Sequence, residues 1–273
     1  SSKGTAGPLL KELPMRQILI MALPLSLLAG CSGNSRYDTG TAQDFLKGCM
    51  QLSSRSYCHC ALSVIESRMD QTQYLQVEQQ MLQSRQIVNW GSYGGYHVFR
   101  PSMDDAMPVT LLAGASESGK STLVDAQISL LYPSGTPYNK ASNSGRSERN
   151  DYTYLRGMIG ISDGENGETP IFLRGRDADG TPQNIWGAIV DTYANRSDGG
   201  LLSCAKFLYL TAGDGPDGLR RQYVTWNQTI DPRLMDRHRD TSFTRGLMEQ
   251  TYPGCTTHVN AQAFHASIWQ DMG

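Results

Sequence analysis

Apolar residues recur along the chain with two different periods. Ala42, Phe45, Leu46 and Cys49 stand three or four positions apart, and so do Ala61, Val64, Ile65 and Met69, which predicts a small helical unit over residues 41–82. Farther on, short β-prone runs at Val109–Ala113, Ile185–Tyr193 and Cys204–Leu210 predict strands. Between the first two, Leu123, Ala126, Ile128, Leu130 and Leu131 give one face of a helix that Pro133 ends. Clusters of Gly, Asp, Asn and Ser at 143–151, 162–169, 175–184 and 213–218 read as loops. Near the start lies a continuous apolar run, Ile18 to Ala29, shorter than the ~18 residues of a spanning helix and interrupted by Pro24.

Composition places these elements in a globular setting. The chain has 273 residues, 39% of them hydrophobic and 18% charged, enough for a sizeable core. A net charge of −2 argues against a broad nucleic-acid footprint, though not against a local basic patch. Six cysteines are too few for a disulfide scaffold of this length, yet Cys31, Cys49, Cys58 and Cys60 all precede residue 85. That first part carries 8 Lys/Arg and 6 Asp/Glu, a charge of +2, leaving 16 and 20, or −4, for the remainder. Such a shift points to two pieces of different origin.

Residues 1–14 show no periodicity and read as a disordered leader. From Met15, a short basic start, the apolar run and Leu28-Ala29-Gly30-Cys31 resemble a bacterial lipoprotein signal over residues 15–31, in which Cys31 would be lipidated and tie the chain to a membrane. The alternative is a buried helix. Residues 32–84 then form a helical, cysteine-containing segment. Its Cys49, Cys58 and Cys60 resemble the pattern of small exported lipoproteins, where a disulfide is permitted; structural thiols or a zinc site with His59 are the other readings.

The chemistry concentrates at Gly114-Ala115-Ser116-Glu117-Ser118-Gly119-Lys120-Ser121-Thr122, which fits G-x-x-x-x-G-K-[ST] without a mismatch. Glycines at both ends let the backbone turn its N–H groups inward on phosphate oxygens. The helix expected to open at Lys120 adds unsatisfied N–H groups and a positive dipole end. Lys120 supplies a point charge for the β- and γ-phosphates of ATP, and Ser121 a hydroxyl for Mg²⁺. A serine-hydrolase elbow is excluded, because G-x-S-x-G would require glycine where Ser118 stands.

Upstream, Ile87-Val88-Asn89-Trp90-Gly91-Ser92-Tyr93-Gly94-Gly95-Tyr96-His97 resembles the opening strand and turn of SMC-like ATPases of the MukB and Wadjet JetC type. Downstream, the stretch from Pro137 to Arg149, with Asn139, Asn143, Arg146 and Arg149, is similar to the Asn-rich, Arg-bearing segment of the same family. The resemblance runs from about Gln86 to about Trp269. It implies an α/β fold for residues 86–273: the N-terminal lobe of a P-loop NTPase head of the SMC/ABC type, incomplete and preceded by a short α-helical segment. It also implies ATP and Mg²⁺ as cofactors, a cytoplasmic setting, a second head lobe or second head as partner, and DNA bound through the parent complex. In that family the Walker B carboxylates and the signature motif lie in the second lobe, and neither motif is found in this sequence. No catalytic residue is therefore assigned, and Glu117 replaces a glycine common in such loops.

Other residues are weaker candidates. Arg146 and Arg149 could approach nucleotide or DNA, or be solvated loop charges. The resemblance places Asn89 and Trp90 near the adenine edge, although Trp90 suits a core equally well. Arg233, Arg237, His238 and Arg239 alternate with Asp231, Asp236 and Asp240, the pattern of a solvated face. Cys255-x-x-His258 alone is a poor zinc site.

Overall fold

The structure is a computed structural model describing residues 35–50, 54–104, 110–113, 119–136, 138, 149–164 and 167–272. The leader at 1–14, the signal-like segment at 15–31 with Cys31, and Arg146 lie outside the described residues, as do Gly114, Ala115, Ser116, Glu117 and Ser118. The chain divides into two compact units. One holds residues up to Met81 together with Pro101–Leu111, the other Leu82–Arg100 and Leu112–Met272. No helix among the described residues is long and apolar enough to cross a membrane.

The first unit contains α1 (Thr39–Cys49), α2 (Arg55–Glu66) and α3 (Gln71–Gln79). Asp38 and Ser54 start α1 and α2 by accepting hydrogen bonds from the backbone N–H groups of Thr41 and Tyr57. The inner faces bring together Phe45, Cys49, Cys58, Ala61, Ile65 and Tyr74. Leu62 is buried where the periodicity placed Val64. Glu66, also buried, accepts hydrogen bonds from the backbone N–H groups of Arg36 and Tyr37, so the incoming chain is tied to the end of α2.

Cys49 and Cys58 form a disulfide with their Cα atoms 5.7 Å apart. The zinc alternative fails on direction: His59 is exposed while Cys58 is buried, because adjacent helical residues face different sides. No group of His, Cys, Asp or Glu among the described residues could hold a metal ion. The bond closes a loop of nine residues in sequence separation. Loop-closure entropy then gives it about 2.5 kcal/mol of stabilisation. Reduction or Cys49→Ser should lower the unfolding midpoint of this unit and leave that of the second unchanged, measured by denaturant titration with and without dithiothreitol.

The second unit is built on a six-stranded sheet in the order β2-β1-β5-β6-β7-β8. Its strands are β1 (Gln80–Trp90), β2 (Tyr93–Phe99), β5 (Ile185–Asn195), β6 (Leu201–Leu210), β7 (Arg220–Trp226) and β8 (Thr256–His258). The pairs β1–β2, β5–β6, β6–β7 and β7–β8 are antiparallel. Both faces are covered, so β5 and β6 are buried along nearly their whole length and read as continuous apolar runs. Trp186, Ala188, Val190, Ala205 and Phe207 face one side, against Ile230, Met235 and Phe243 and against Met248 of α6 (Arg245–Thr251). The alternate residues, among them Asp191 and Lys206, face α4 (Lys120–Leu131) and α5 (Asp151–Arg156) through polar contacts. α7 (Ala261–Met272) closes over β7, where Phe264 meets Tyr223 at 5.2 Å between ring centroids.

Two expectations are corrected. Residues 110–113 form no strand: Leu111 is 85% and Leu112 48% exposed. A short apolar run holds a strand only by pairing, and β1 already has β2 and β5 on its two sides. Residues 162–164 and 167–169, within a stretch expected as a loop, belong to a two-stranded antiparallel sheet of β3 (Met158–Gly164) and β4 (Gly167–Phe172). Its cross-strand partners include Ser162 with Thr169 and Asp163 with Glu168, polar residues that resemble a loop in composition but sustain a backbone ladder.

Candidate phosphate-binding site

The helix that should receive phosphate opens where the motif requires. Gly119 caps α4 with φ of +87° in the left-handed region, and no side chain caps the helix in its place. The first N–H groups of α4 therefore have no intrahelical acceptor, and the helix dipole favours an anion there. Lys120 is the first helical residue and half-buried; Ser121 follows, exposed. Thr122 turns inward, and its methyl fills the space below Gly91, where a Cβ would come within 2.5 Å of Thr122 Cγ2. Of the nine motif residues, these four are the ones the structure places. They fit a phosphate and a metal ion by chemistry: an ammonium, an exposed hydroxyl and the first-turn amides of one helix.

The β1–β2 turn sits on the first turns of α4. Asn89 takes a left-handed φ of 50°, and its side chain donates to the Trp186 carbonyl at 2.9 Å and accepts from the Gly95 N–H at 2.8 Å. Trp90 is fully buried; its indole N–H donates to the Thr122 carbonyl at 3.0 Å and its ring stacks on Tyr154 at 4.6 Å. Both residues hold the turn against the helix, and the buried Trp90 presents no free face to an adenine ring. Arg174 completes the joint by donating to the carbonyls of Leu155, Gly91 and Tyr154 at 2.8–2.9 Å. Burial lowers its pKa to about 10, so it remains a cation.

Behind the phosphate end, α4 is fixed by buried charge. Arg85 binds Asp191 through two nitrogens at 2.7 and 2.5 Å and also donates to the Leu123 carbonyl at 3.1 Å. Burial alone would weaken the Arg85 cation, but the Asp191 carboxylate pushes its pKa above the ordinary value. Asp125 on α4, fully buried, accepts the Tyr154 hydroxyl and pairs with Arg149 at 3.6 Å. Arg149 is thus held by the helix that carries the phosphate motif.

At the far end of α4, Asp151 gathers Ser129, Tyr138, Lys206 and Arg221 at 2.6–2.9 Å. Burial would raise the Asp151 pKa, but two cations outweigh it and hold the carboxyl well below its usual range. Burial draws Lys206 below its ordinary value, outweighing the Asp151 carboxylate that supports its charge. The periodicity of α4 carried a trace of this arrangement. Asp125 and Ser129 lie four residues apart among buried Leu123, Ala126 and Leu130, and polar residues on a buried helix face need buried partners.

The remaining sequence candidates are taken up by structure. Arg233 pairs with Asp231 at 2.8 Å, and Arg239 with Asp236 at 2.5 Å. His258 is buried against Thr225 at 3.0 Å, and the Cys255 thiol lies 3.9 Å from the Met248 carbonyl. His265 bonds the Leu130 carbonyl at 3.0 Å, and burial lowers its pKa, keeping the imidazole neutral.

One substitution tests the local geometry. Gly119→Ala would place a Cβ 2.9 Å from the Tyr93 hydroxyl on a left-handed backbone. A non-glycine residue pays about 1–2 kcal/mol there, so nucleotide binding should fall by about tenfold with the sheet core intact, read by calorimetry beside a near-ultraviolet spectrum.

No curated protein is significantly similar to this chain. Residues 82–145 match the family described as the P-loop containing region of AAA domain. The match takes in β1, β2, the motif and α4. The second unit therefore carries a P-loop, ATPase-like nucleotide-binding region.

Proposed function

We propose that the second unit is the ATP-binding lobe of an SMC-like ATPase resembling JetC, the DNA-loop-extruding subunit of a bacterial anti-plasmid defence system. The observation that carries this reading is α4 opening at Lys120 from a left-handed Gly119, with the β1–β2 turn seated on its first turns. The backbone amides and Lys120 hold the triphosphate, and Ser121 offers its hydroxyl to Mg²⁺. Hydrolysis also needs a carboxylate that positions water, which this reading assigns to a second head lobe; DNA is engaged by the assembled parent complex in the cytoplasm. The full chain should then bind Mg-ATP saturably but release phosphate no faster than Lys120→Ala. Turnover by the chain alone at about 1 s⁻¹, in the range of complete phosphoryl-transfer enzymes, would contradict the assignment.

One observation favours a second reading, a membrane-anchored envelope lipoprotein whose C-terminal part binds nucleotide. The Cys49–Cys58 disulfide is a bond of oxidising compartments. Intact-mass analysis after bacterial expression separates the two. A lipid on Cys31 with loss of residues 1–30 supports the anchor, and an unmodified N-terminus supports the cytoplasmic lobe.

A further inference from the structure

We propose that the cleft between α5 and the end of β4 is a separate ligand site that takes a small phosphate-bearing anion. The cleft has a volume of about 530 Å³, and its walls include Tyr152 and Arg156 of α5, Phe172 of β4, Arg174, Arg176 and Pro216. All lie within the second unit. None of the three arginines has a carboxylate partner among the described residues, whereas Arg85, Arg149, Lys206 and Arg221 in the same unit each pair with an aspartate. The Asp177 carboxylate, next to Arg176 in sequence, is engaged by the N–H groups of Asp179 and Thr181 and by the Gln183 side chain. Asp217, beside Pro216, is exposed and makes no ion pair with them. Burial lowers the pKa of Arg174 with no carboxylate to offset it, the reverse of Arg85, and a bound anion would supply the missing charge.

The guanidinium groups are held with N–H groups to spare. Arg156 stacks on Phe172, its Cζ 3.9 Å from the ring centroid, while Nε donates to the Arg174 carbonyl at 3.4 Å and Nη1 to the Tyr152 hydroxyl at 2.8 Å. Gly175, with φ of +99°, makes room for it, since a Cβ there would come within 3.1 Å of Arg156 Nε. Arg176 donates through Nη1 to the Gly180 carbonyl at 2.6 Å. Nη2 of Arg156, Nη1 of Arg174, and Nε and Nη2 of Arg176 have no acceptor among the described residues. Planar forks with free donors match the several oxygens of a phosphate group. The volume is that of a small-molecule pocket. Leu173 on the cleft wall and Ile171 near it are 51% and 43% exposed, where a nucleic-acid strand would need further cations.

The test is calorimetric titration of inorganic pyrophosphate into the full chain carrying Lys120→Ala, which disables the nucleotide motif, so the inference stands apart from the nucleotide reading. Saturable binding is expected. Arg176→Gln, at an exposed position, should weaken it by about tenfold, the scale of one hydrogen bond to a charged group, with the unfolding midpoint unchanged. Adding Arg156→Lys, which keeps the charge and loses the fork, should weaken it further. Absence of saturable binding, or equal affinity with and without the two arginine substitutions, would overturn the proposal and leave Mg-ATP binding by the parent untouched. A single-stranded oligothymidylate that binds more tightly than pyrophosphate, and is released by the same substitutions, would also overturn it, because the cleft would then be part of a nucleic-acid track.

Discussion

Asp151→Ala is expected to remove about 3–5 kcal/mol of folding stability, the usual penalty for leaving one member of a buried ion pair unpaired. Lys206, 4% exposed, would keep the Ser129 carbonyl and hydroxyl as hydrogen-bond partners among the described residues, and no carboxylate there. Tyr138 and Ser129 would each lose an acceptor, and α5 its first residue's contacts to the sheet. The double variant Asp151→Leu/Lys206→Met should recover more than half of the loss, because it removes the orphaned charge as well. Denaturant titration followed by tryptophan fluorescence checks both, and a single variant within 1 kcal/mol of the parent would refute the network's importance. The sign of the pH effect follows from the depressed folded pKa of Asp151. Its contribution is complete above the unfolded value of ~3.9 and is lost as pH falls through the lower folded value. The parent should therefore lose stability more steeply than Asp151→Asn below about pH 4.

Arg85→Ala should be comparably damaging, again about 3–5 kcal/mol, and it should reach the phosphate site. Asp191 is fully buried, and without the guanidinium only the longer 3.3 Å bond from the Tyr193 hydroxyl would remain among its hydrogen bonds described here. The Leu123 carbonyl, one residue beyond the motif, would lose its donor as well. The unfolding midpoint of the second unit should drop by about 10 °C, and Mg-ATP affinity should fall with it at temperatures where the variant stays folded. Arg85→Lys should rescue the charge but not the two-nitrogen geometry, and so recover only part of either loss.

The sequence made some of these features legible and hid others for physical reasons. The nucleotide motif and the helix after it follow from local rules: a left-handed glycine before Lys120, an apolar face and a proline stop. The central strands were visible because burial on both faces makes them continuously apolar. The β3–β4 pair was not, since Ser162, Asp163, Glu168 and Thr169 have the composition of a loop and yet stand in a strand ladder. Residues 110–113 misled because β-propensity reports a pleated surface that fits a neighbour, and here the neighbours of β1 are already taken. The ion pairs that seat α4 join residues 106 and 55 positions apart. No local pattern could match Arg85 to Asp191 or Lys206 to Asp151. In the first unit, cysteine spacing left a disulfide, thiols or zinc open, and the Cys49–Cys58 bond, with His59 turned outward, decided among them.

The central claim is that the helix end formed by Gly119, Lys120 and Ser121 grips the phosphates of a nucleotide. Calorimetric titration of Mg-ATP into the parent chain and into Lys120→Ala tests it most directly. The account predicts measurable binding by the parent and at least a tenfold loss in the variant; equal affinities in two equally folded proteins would contradict it.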